Sequence, residues 1–191
     1  MALDATKLKA LLSDIDAKLT SPGTICLIGS AATILLGQSV RQTDDIDVWA
    51  DASQIAFDAL QAASEAAGVT YDPKGEFPHV PYIQIVHPGQ VQVPGFNRDA
   101  RTWLGEAERT VWSGRMLTIT VPPARCIIAS KLLRASERDI EDCIWLMASH
   151  AVAAADIERA IAALPNTVRR NEAKHNFELL TVMRQKSEGR G

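Results

Sequence analysis

The chain has 191 residues, with 20 Lys and Arg against 23 Asp and Glu, and 47% of its residues are hydrophobic. At about 100–200 residues per domain, this length predicts one domain whose core needs neither disulfides nor a structural metal. The formal charge of −3 excludes a chain that is basic throughout and disfavours bulk binding to DNA, although it leaves room for a local phosphate site.

The three cysteines predict a reducing compartment. Cys26, Cys126 and Cys143 form no C-x-x-C pair, are odd in number and lie among Leu, Ile and Trp residues. We therefore expect buried free thiols and a cytoplasmic location. The N-terminus carries charges throughout, and no apolar run approaches the roughly 20 residues of a membrane span, so we expect neither a secretion signal nor a membrane partner.

The first half of the chain predicts two strand-then-helix units. Apolar residues at spacings of three and four predict a helix over 5–19. A short β-branched run at 24–28 predicts a strand, which ends in Gly29-Ser30 and is followed by a helix closed by Gly37. A second strand over 46–50 precedes a helix that ends at Gly68.

From residue 71 to residue 120 the pattern changes to short strands broken by turns. Segments 82–86 and 91–93 flank the turn sequence HPGQ, which predicts an antiparallel hairpin, and 116–121 predicts a further strand. After Pro122-Pro123 the pattern predicts helices over about 124–135, 138–149, 157–164 and 171–184. The chain is thus α/β at the front and helical at the back.

Two neighbouring segments predict a phosphate site and a cation site. The Gly29-Ser30 turn, between a strand and a helix, exposes backbone N–H groups that favour a phosphate. Asp45 and Asp47 are two apart on a strand, so both carboxylates share one face with Ile46 behind them, and Mg²⁺ commonly takes one or two carboxylates plus phosphate oxygens. The Gly-Ser pair alone is also typical of an ordinary turn, and the Asp-x-Asp pattern alone is typical of a solvated strand end. The order of the two patterns along the chain favours their lying at neighbouring strand ends.

With these residues the chain resembles the polymerase-β-type nucleotidyltransferase superfamily, in particular its small bacterial members from toxin–antitoxin and abortive-infection systems. In that family a strand ends in Gly-Gly or Gly-Ser, a helix follows, and an Arg-x-Ser/Thr-x-Asp-x-Asp run lies on the next strand. The matching residues in this chain are Gly29, Ser30, Arg41, Thr43, Asp45 and Asp47. The resemblance is best over residues 24–50.

A second stretch supports the resemblance. The abortive-infection members carry Ala-x-Lys-Leu followed by Arg-Asp-x-x-Asp, and this chain has Ala129-Ser-Lys131-Leu and Arg138-Asp139-Ile-Glu-Asp142. The resemblance implies that Lys131 approaches a triphosphate and that Asp142 or Asp139 orients Lys131 or the acceptor. The residues themselves also allow Lys131 to lie along the surface with its charge in water, and the acids to be first-turn residues of a helix.

One departure from the family pattern concerns a third carboxylate. Many catalytic members place it on a later strand beside the Asp-x-Asp pair, whereas the alternating strands here carry Gln84 and Gln92. Glutamine cannot deprotonate a hydroxyl, although it can coordinate a metal weakly or form hydrogen bonds. Either the base comes from elsewhere, with Asp142, Asp99 and Glu76 as candidates, or the fold binds a nucleotide or partner without efficient transfer.

The resemblance implies an α/β (α+β) fold with a small mixed sheet, as a single domain over 1–191 with a core at about 20–121 and a helical part at about 122–186. It implies a Mg²⁺-dependent transferase that moves NMP from an NTP to a hydroxyl of an RNA end, a protein or a small molecule. Asp45 and Asp47 would hold the metal. The nucleotide-binding residues would be Gly29, Ser30, Arg41 and Thr43, and the further catalytic residues Lys131 and Asp142.

Two alternatives remain open at this stage. One is a catalytically degenerate nucleotidyltransferase fold that acts as an antitoxin-like binding module for a toxin or antitoxin partner. The other is an ordinary α/β scaffold, in which the carboxylates of Asp45 and Asp47 would point away from each other and from the Gly29 turn.

Overall fold

The computed structural model describes residues 2–74 and 80–188, with side chains up to residue 182. Within these ranges the helices are α1 (Ala5–Lys18), α2 (Gly29–Leu35), α3 (Phe57–Ala66), α4 (Ala124–Lys131), α5 (Glu137–Ser149), α6 (Ala154–Ala162) and α7 (Thr167–Glu188). None of the helices in the described ranges is both long enough and apolar enough to cross a membrane.

The longer strands form a six-stranded sheet together with one short strand. Its members are β1 (Gly23–Leu27), β2 (Asp45–Gln54), β3 (Thr70–Tyr71), β4 (Tyr82–Val86), β8 (Arg109–Ser113) and β9 (Leu117–Val121). A second sheet has the order β5-β6-β7 and consists of β5 (Phe96–Asn97), β6 (Thr102–Trp103) and β7 (Glu106–Ala107).

The chain divides into two units. Unit 1 comprises Met1–Gln90 and Ala107–Pro122, and it contains helices α1 to α3 and the six-stranded sheet. Unit 2 comprises Val91–Glu106 and Pro123–Gly191, and it contains helices α4 to α7. The segment 91–106 thus belongs with the C-terminal helices, although it lies inside the sequence of unit 1.

The strand order of the large sheet is β3-β4-β2-β1-β9-β8. Strand β1 is antiparallel to β2 and parallel to β9, while β2 is parallel to β4 and β4 is parallel to β3. The mixed sheet and the helices confirm the predicted α/β (α+β) class. The predicted helices and the strands β1, β2, β4 and β9 are all found within a few residues of their expected positions.

The predicted hairpin is wrong. Segment 82–86 is strand β4, but residues 92–95 have no regular secondary structure, and β4 pairs in parallel with β2 and β3 instead. Strand β2 thus occupies one edge of β4 along its whole length, and β3 covers Tyr82 and Ile83 on the other edge. The turn itself is closed locally, since His87 N donates to Gln90 Oε1 at 2.6 Å.

The three cysteines are free and buried, as predicted. Burial raises the pKa of the Cys126 thiol to about 12, and burial likewise raises the pKa of Cys143 to about 12. A thiol with so high a pKa is almost entirely protonated at neutral pH and is a poor nucleophile. Cys126 and Cys143 are thus packing residues rather than reactive groups.

Helix α1 is joined to the turn between β8 and β9 by one carboxylate. Asp16 Oδ1 accepts from Met116 N at 2.7 Å and from Leu117 N at 2.6 Å, and Oδ2 accepts from Arg115 N at 2.9 Å. Burial by itself would raise the pKa of Asp16, but the three N–H groups outweigh it and hold this pKa below the ordinary value of 3.8. Gly114 makes room for the Asp16 carboxylate, because a Cβ at residue 114 would lie 2.5 Å from Asp16 Cγ.

We expect Asp16→Asn to lower the free energy of unfolding by about 1.5–3 kcal/mol, since charge-assisted bonds to backbone N–H groups are lost. Because the folded pKa is depressed, this contribution is present above pH 3.8 and is lost as the pH falls through the folded value. Urea unfolding between pH 7 and pH 3 should therefore show a smaller pH dependence for the variant. Asp14→Asn, at an exposed position of the same helix, is the control; equal stability of both variants would contradict the assignment.

Candidate functional site

Strand β2 presents two carboxylates on one face of the sheet. Asp45 and Asp47 are partly exposed, while Ile46 between them is fully buried on the opposite face. The parallel register pairs Asp45 with Tyr82 and Asp47 with Gln84, so these two β4 side chains share the face of the carboxylates. The face therefore combines two acids, a phenol and an amide.

The turn between β1 and α2 lies directly against Asp47. Ile28 N donates to the carbonyl oxygen of Asp47 at 3.0 Å, and Gly29 adopts a left-handed conformation with φ +67. A Cβ on Gly29 would overlap Asp47 Oδ2. Only glycine fits both the conformation and the close approach. The Asp47 carboxylate thus lies at the Gly29 turn, which contradicts the scaffold alternative on this point.

The loop before β2 brings the remaining predicted residues of unit 1 to the same place. Arg41 Nη2 donates to Ser30 Oγ at 3.0 Å, which brings a cation to the start of α2. Thr43 Oγ1 donates to Asp45 Oδ1 at 2.5 Å. The loop is anchored by an antiparallel bridge in which Leu3 and Thr43 exchange backbone hydrogen bonds of 2.7 and 3.0 Å. The six residues of the Gly-Ser and Arg-x-Thr-x-Asp-x-Asp pattern therefore converge.

Tyr82 is a site residue that the sequence analysis did not identify. It is 8% exposed, and burial first, then the negative charges of Asp45, Asp47 and Asp44, raise the pKa of its phenol. It therefore remains a neutral hydrogen-bonding group at physiological pH. The sequence signal was its alternation with Gln84 along one strand, but the register that places it beside Asp45 could not be predicted.

Gln84 occupies the position next to Asp47, and a second acid lies behind it. Gln84 Nε2 donates to Asp72 Oδ1 at 2.7 Å, and Asp72 Oδ2 lies 2.5 Å from Lys74 Nζ. Asp72 follows β3 in a left-handed conformation with φ +41. Asp72 was not predicted as a site residue, because a carboxylate in an Asp-Pro-Lys-Gly turn is typical of any solvated loop. Gln92, the other glutamine of interest, lies outside the strands in unit 2.

The donor set at β2 consists of two carboxylates. Among the side chains of residues 2–74 and 80–182, no three His, Cys, Asp or Glu residues form a group that could hold a metal. A cation at Asp45 and Asp47 would therefore take its other ligands from neutral protein groups, water or substrate oxygens. Mg²⁺ fits this set, because it keeps several waters and binds through one or two carboxylates plus phosphate oxygens.

Lys131 and Asp142 lie in unit 2, in a buried charged cluster. Lys131 is only 2% exposed, so the surface alternative is wrong; its Nζ lies 2.7 Å from Asp142 Oδ2 and 3.4 Å from Asp139 Oδ1. Asp139 is also bound by Arg134 Nη2 at 2.9 Å and by Ser136 Oγ at 2.8 Å. Burial would raise the pKa of Asp139, but bonds from Arg134 and Ser136 and the charge of Lys131 hold it below the ordinary value.

The other candidate bases have different positions. Asp142 is ion-paired with Lys131, which makes it a group that holds Lys131 in place. Asp99 is exposed in a turn of unit 2. Glu76 lies outside the described residues.

The Gly29 contact generates a stability prediction. Gly29→Ala should lower the free energy of unfolding more than Gly68→Ala does. Gly68 has a comparable φ of +76, but no atom lies within 4 Å of the position that an added Cβ would take. The left-handed conformation costs about 1–2 kcal/mol in both variants, and displacement of Asp47 adds about 1–3 kcal/mol in Gly29→Ala alone. Urea unfolding measures both. Equal losses would show that Asp47 does not occupy this space.

The buried cluster generates a second prediction. Lys131→Met should lower the free energy of unfolding by about 3–5 kcal/mol, because it leaves two buried carboxylates without their shared cation. Lys9→Met, at an exposed position of α1, is the matched control and should change stability by less than about 0.5 kcal/mol. Urea unfolding at pH 7 compares the two. A loss for Lys131→Met no larger than that of the control would contradict the buried ion-pair assignment.

Comparison with known proteins places this geometry in a family. No curated protein sequence matches the chain significantly. Among solved structures, an antigenic nucleotidyltransferase-like protein from Paracoccidioides brasiliensis is similar, with 15% identity and a TM-score of 0.46 over 93% of this chain and 95% of that one. The model of a family described as "Nucleotidyltransferase of unknown function (DUF6036)" matches residues 6–178. The chain therefore belongs to this nucleotidyltransferase family.

Proposed function

We propose that the protein is a Mg²⁺-dependent nucleotidyltransferase that moves NMP from an NTP to an acceptor hydroxyl. The observation that carries the proposal is the convergence of the Gly29 turn on Asp47, with Arg41 bonded to Ser30 beside it. The two carboxylates of β2 can bind a cation, and the neighbouring Arg41 and Ser30 side chains can bind phosphate oxygens. Together they have the charges needed to bind a metal-bound triphosphate. Membership of a nucleotidyltransferase family supports the same conclusion.

Each residue of unit 1 has a distinct task. Asp45 and Asp47 hold Mg²⁺, which when bound offsets the negative charge of the phosphates. Thr43 fixes the Asp45 carboxylate through its 2.5 Å hydrogen bond. Arg41 and Ser30 bind the β- and γ-phosphates; α2 has only seven residues, so we assign this contact to the side chains rather than to the helix dipole. Gly29 keeps the turn close to Asp47.

The reaction is a substitution at the α-phosphorus. The acceptor oxygen forms a bond to this phosphorus, the bond from the α-phosphorus to the bridging oxygen breaks, and pyrophosphate leaves with the electron pair. The proton of the acceptor hydroxyl is lost to a base or to water. Positioning and electrostatic stabilisation supply most of the rate enhancement in such transfers.

Lys131 has a proposed role beyond stability. In the family pattern that its helix matches, the lysine helps to bind the triphosphate, and Asp142 and Asp139 would orient Lys131 for this role. The support is the match of its helix to the family pattern; the two carboxylates that contact its Nζ hold the side chain in place. If this role is correct, Lys131→Met should raise the KM for NTP even at temperatures where the variant is fully folded.

The acceptor and the cellular setting are also proposals. The acceptor hydroxyl belongs to an RNA 3′ end, a partner protein or a small molecule, and the resemblance to toxin–antitoxin members favours a toxin or antitoxin partner. Three buried free thiols support a cytoplasmic location.

A rival function is favoured by one observation. Gln84, which cannot take up a proton, lies next to Asp47. A degenerate nucleotidyltransferase fold that binds nucleotide without efficient transfer would be consistent with it. Isothermal titration with each NTP and Mg²⁺ separates the two functions. Tight binding without turnover would favour the binding module, and no binding would overturn both.

The transferase activity is tested with labelled NTPs, Mg²⁺ and acceptors of each class. Asp45→Asn combined with Asp47→Asn should reduce transfer on the order of 100-fold or more, since the charge stabilisation at the phosphates is lost. Asp14→Asn combined with Asp58→Asn removes the same number of charges from exposed positions of α1 and α3, and it should leave transfer unchanged. Unchanged transfer in the Asp45/Asp47 variant would refute the metal assignment.

A further inference from the structure

We propose that Gln84 supplies a neutral third oxygen to the cation site and that Asp72 is the positioning residue that orients it. This inference rests on the proposed function, because it adds a ligand to the site of Asp45 and Asp47. The evidence is a row of residues across four neighbouring strands. The order of the row is Asp72 at the end of β3, Gln84 on β4, Asp47 on β2 and Gly29 after β1.

The contacts along the row are specific. Asp47 and Gln84 are paired in the parallel register of β2 and β4, so both side chains leave the sheet on the same face. On the side of Gln84 away from β2, the amide nitrogen Nε2 donates to Asp72 Oδ1 at 2.7 Å. With Nε2 held on the β3 side, the proposed arrangement has the amide oxygen Oε1 on the β2 side, toward the Asp45–Asp47 pair.

Asp72 fixes the direction of the amide. A carboxylate accepts hydrogen bonds and cannot donate them, so a flipped amide would place Oε1 against Oδ1 and lose the bond. Asp72 is itself held, since Ile85 N donates to Oδ1 at 3.3 Å and Lys74 Nζ lies 2.5 Å from Oδ2. Asp72 adopts a left-handed conformation, and its side chain contacts Gln84 and Ile85 of β4.

The chemistry of the amide suits a cation ligand. Amide carbonyl oxygens coordinate hard divalent cations together with carboxylates. A ligand that is oriented by a hydrogen bond from its outer side loses little entropy on binding, and outer partners of this kind commonly contribute 10–100-fold to metal affinity. The Lys74 charge beside Asp72 offsets the negative charge of this carboxylate.

The test is a titration of the full chain with Mn²⁺ in the absence of nucleotide. The electron paramagnetic resonance signal of the free ion measures how much Mn²⁺ is bound. Asp72→Asn should weaken Mn²⁺ binding on the order of 10-fold, because the amide of Gln84 is then free to flip. The double variant Asp72→Asn with Gln84→Glu exchanges the acid and the amide while keeping a hydrogen bond between the two positions. It should bind Mn²⁺ more tightly than the wild type, because the ligand facing the cation is now charged.

Circular dichroism and urea unfolding confirm that each variant is folded. Gln61→Glu, at an exposed position of α3, is the control for an added charge and should leave the Mn²⁺ affinity unchanged. Asp72→Asn binding as tightly as the wild type, or a double variant that binds no tighter than the wild type, would overturn the inference. If the wild type binds Mn²⁺ and only the Asp45/Asp47 variant loses it, this inference fails while the proposed metal site stands. If the wild type does not bind Mn²⁺, the metal site itself fails.

Discussion

The pairing of β2 with β1 on one side and β4 on the other is the constraint on which the candidate site depends. Its register places Asp47 against the Gly29 turn and beside Gln84. A slip by one residue would turn both carboxylates into the core and expose Ile46 and Val48, which are now fully buried. Burying two carboxylates in the apolar core costs far more than any local turn preference, so the core pattern of β2 fixes the geometry of the site.

The charged side chains discussed above are of two kinds. Asp16 is satisfied by three backbone N–H groups, and Lys131 by two carboxylates, so each forms a compensated group that stabilises the fold. Asp45 and Asp47 instead lie on one face of the same strand, where their charges add. An arrangement that concentrates like charge is costly unless a cation is bound, which is the electrostatic reason for assigning function to this face rather than to the other acids.

Local sequence information suffices for some elements of this fold and not for others. Helix α1 was predictable because the spacing of Leu8, Leu12 and Ile15 defines one apolar face, and all three are fully buried. The strand β4 was predicted but its partners were not, since pairing depends on which sheet edges other segments occupy. Asp72 could not be predicted as a site residue, because the two-residue strand before it carries no pattern, and only the parallel pairing of β3 with β4 brings it to Gln84.

Three features are encoded within short segments, by side-chain period, glycine conformation and hydrophobicity: the strand–turn–helix unit at Gly29-Ser30, the shared face of Asp45 and Asp47, and the burial of the cysteines. Other features arise only in the folded chain: the strand order, the approach of Gly29 to Asp47, the Arg41–Ser30 bond, the Gln84–Asp72 pair and the burial of Lys131 between two acids. Each of these joins residues that the free energy of packing the whole core brings together, and no local preference encodes such a contact.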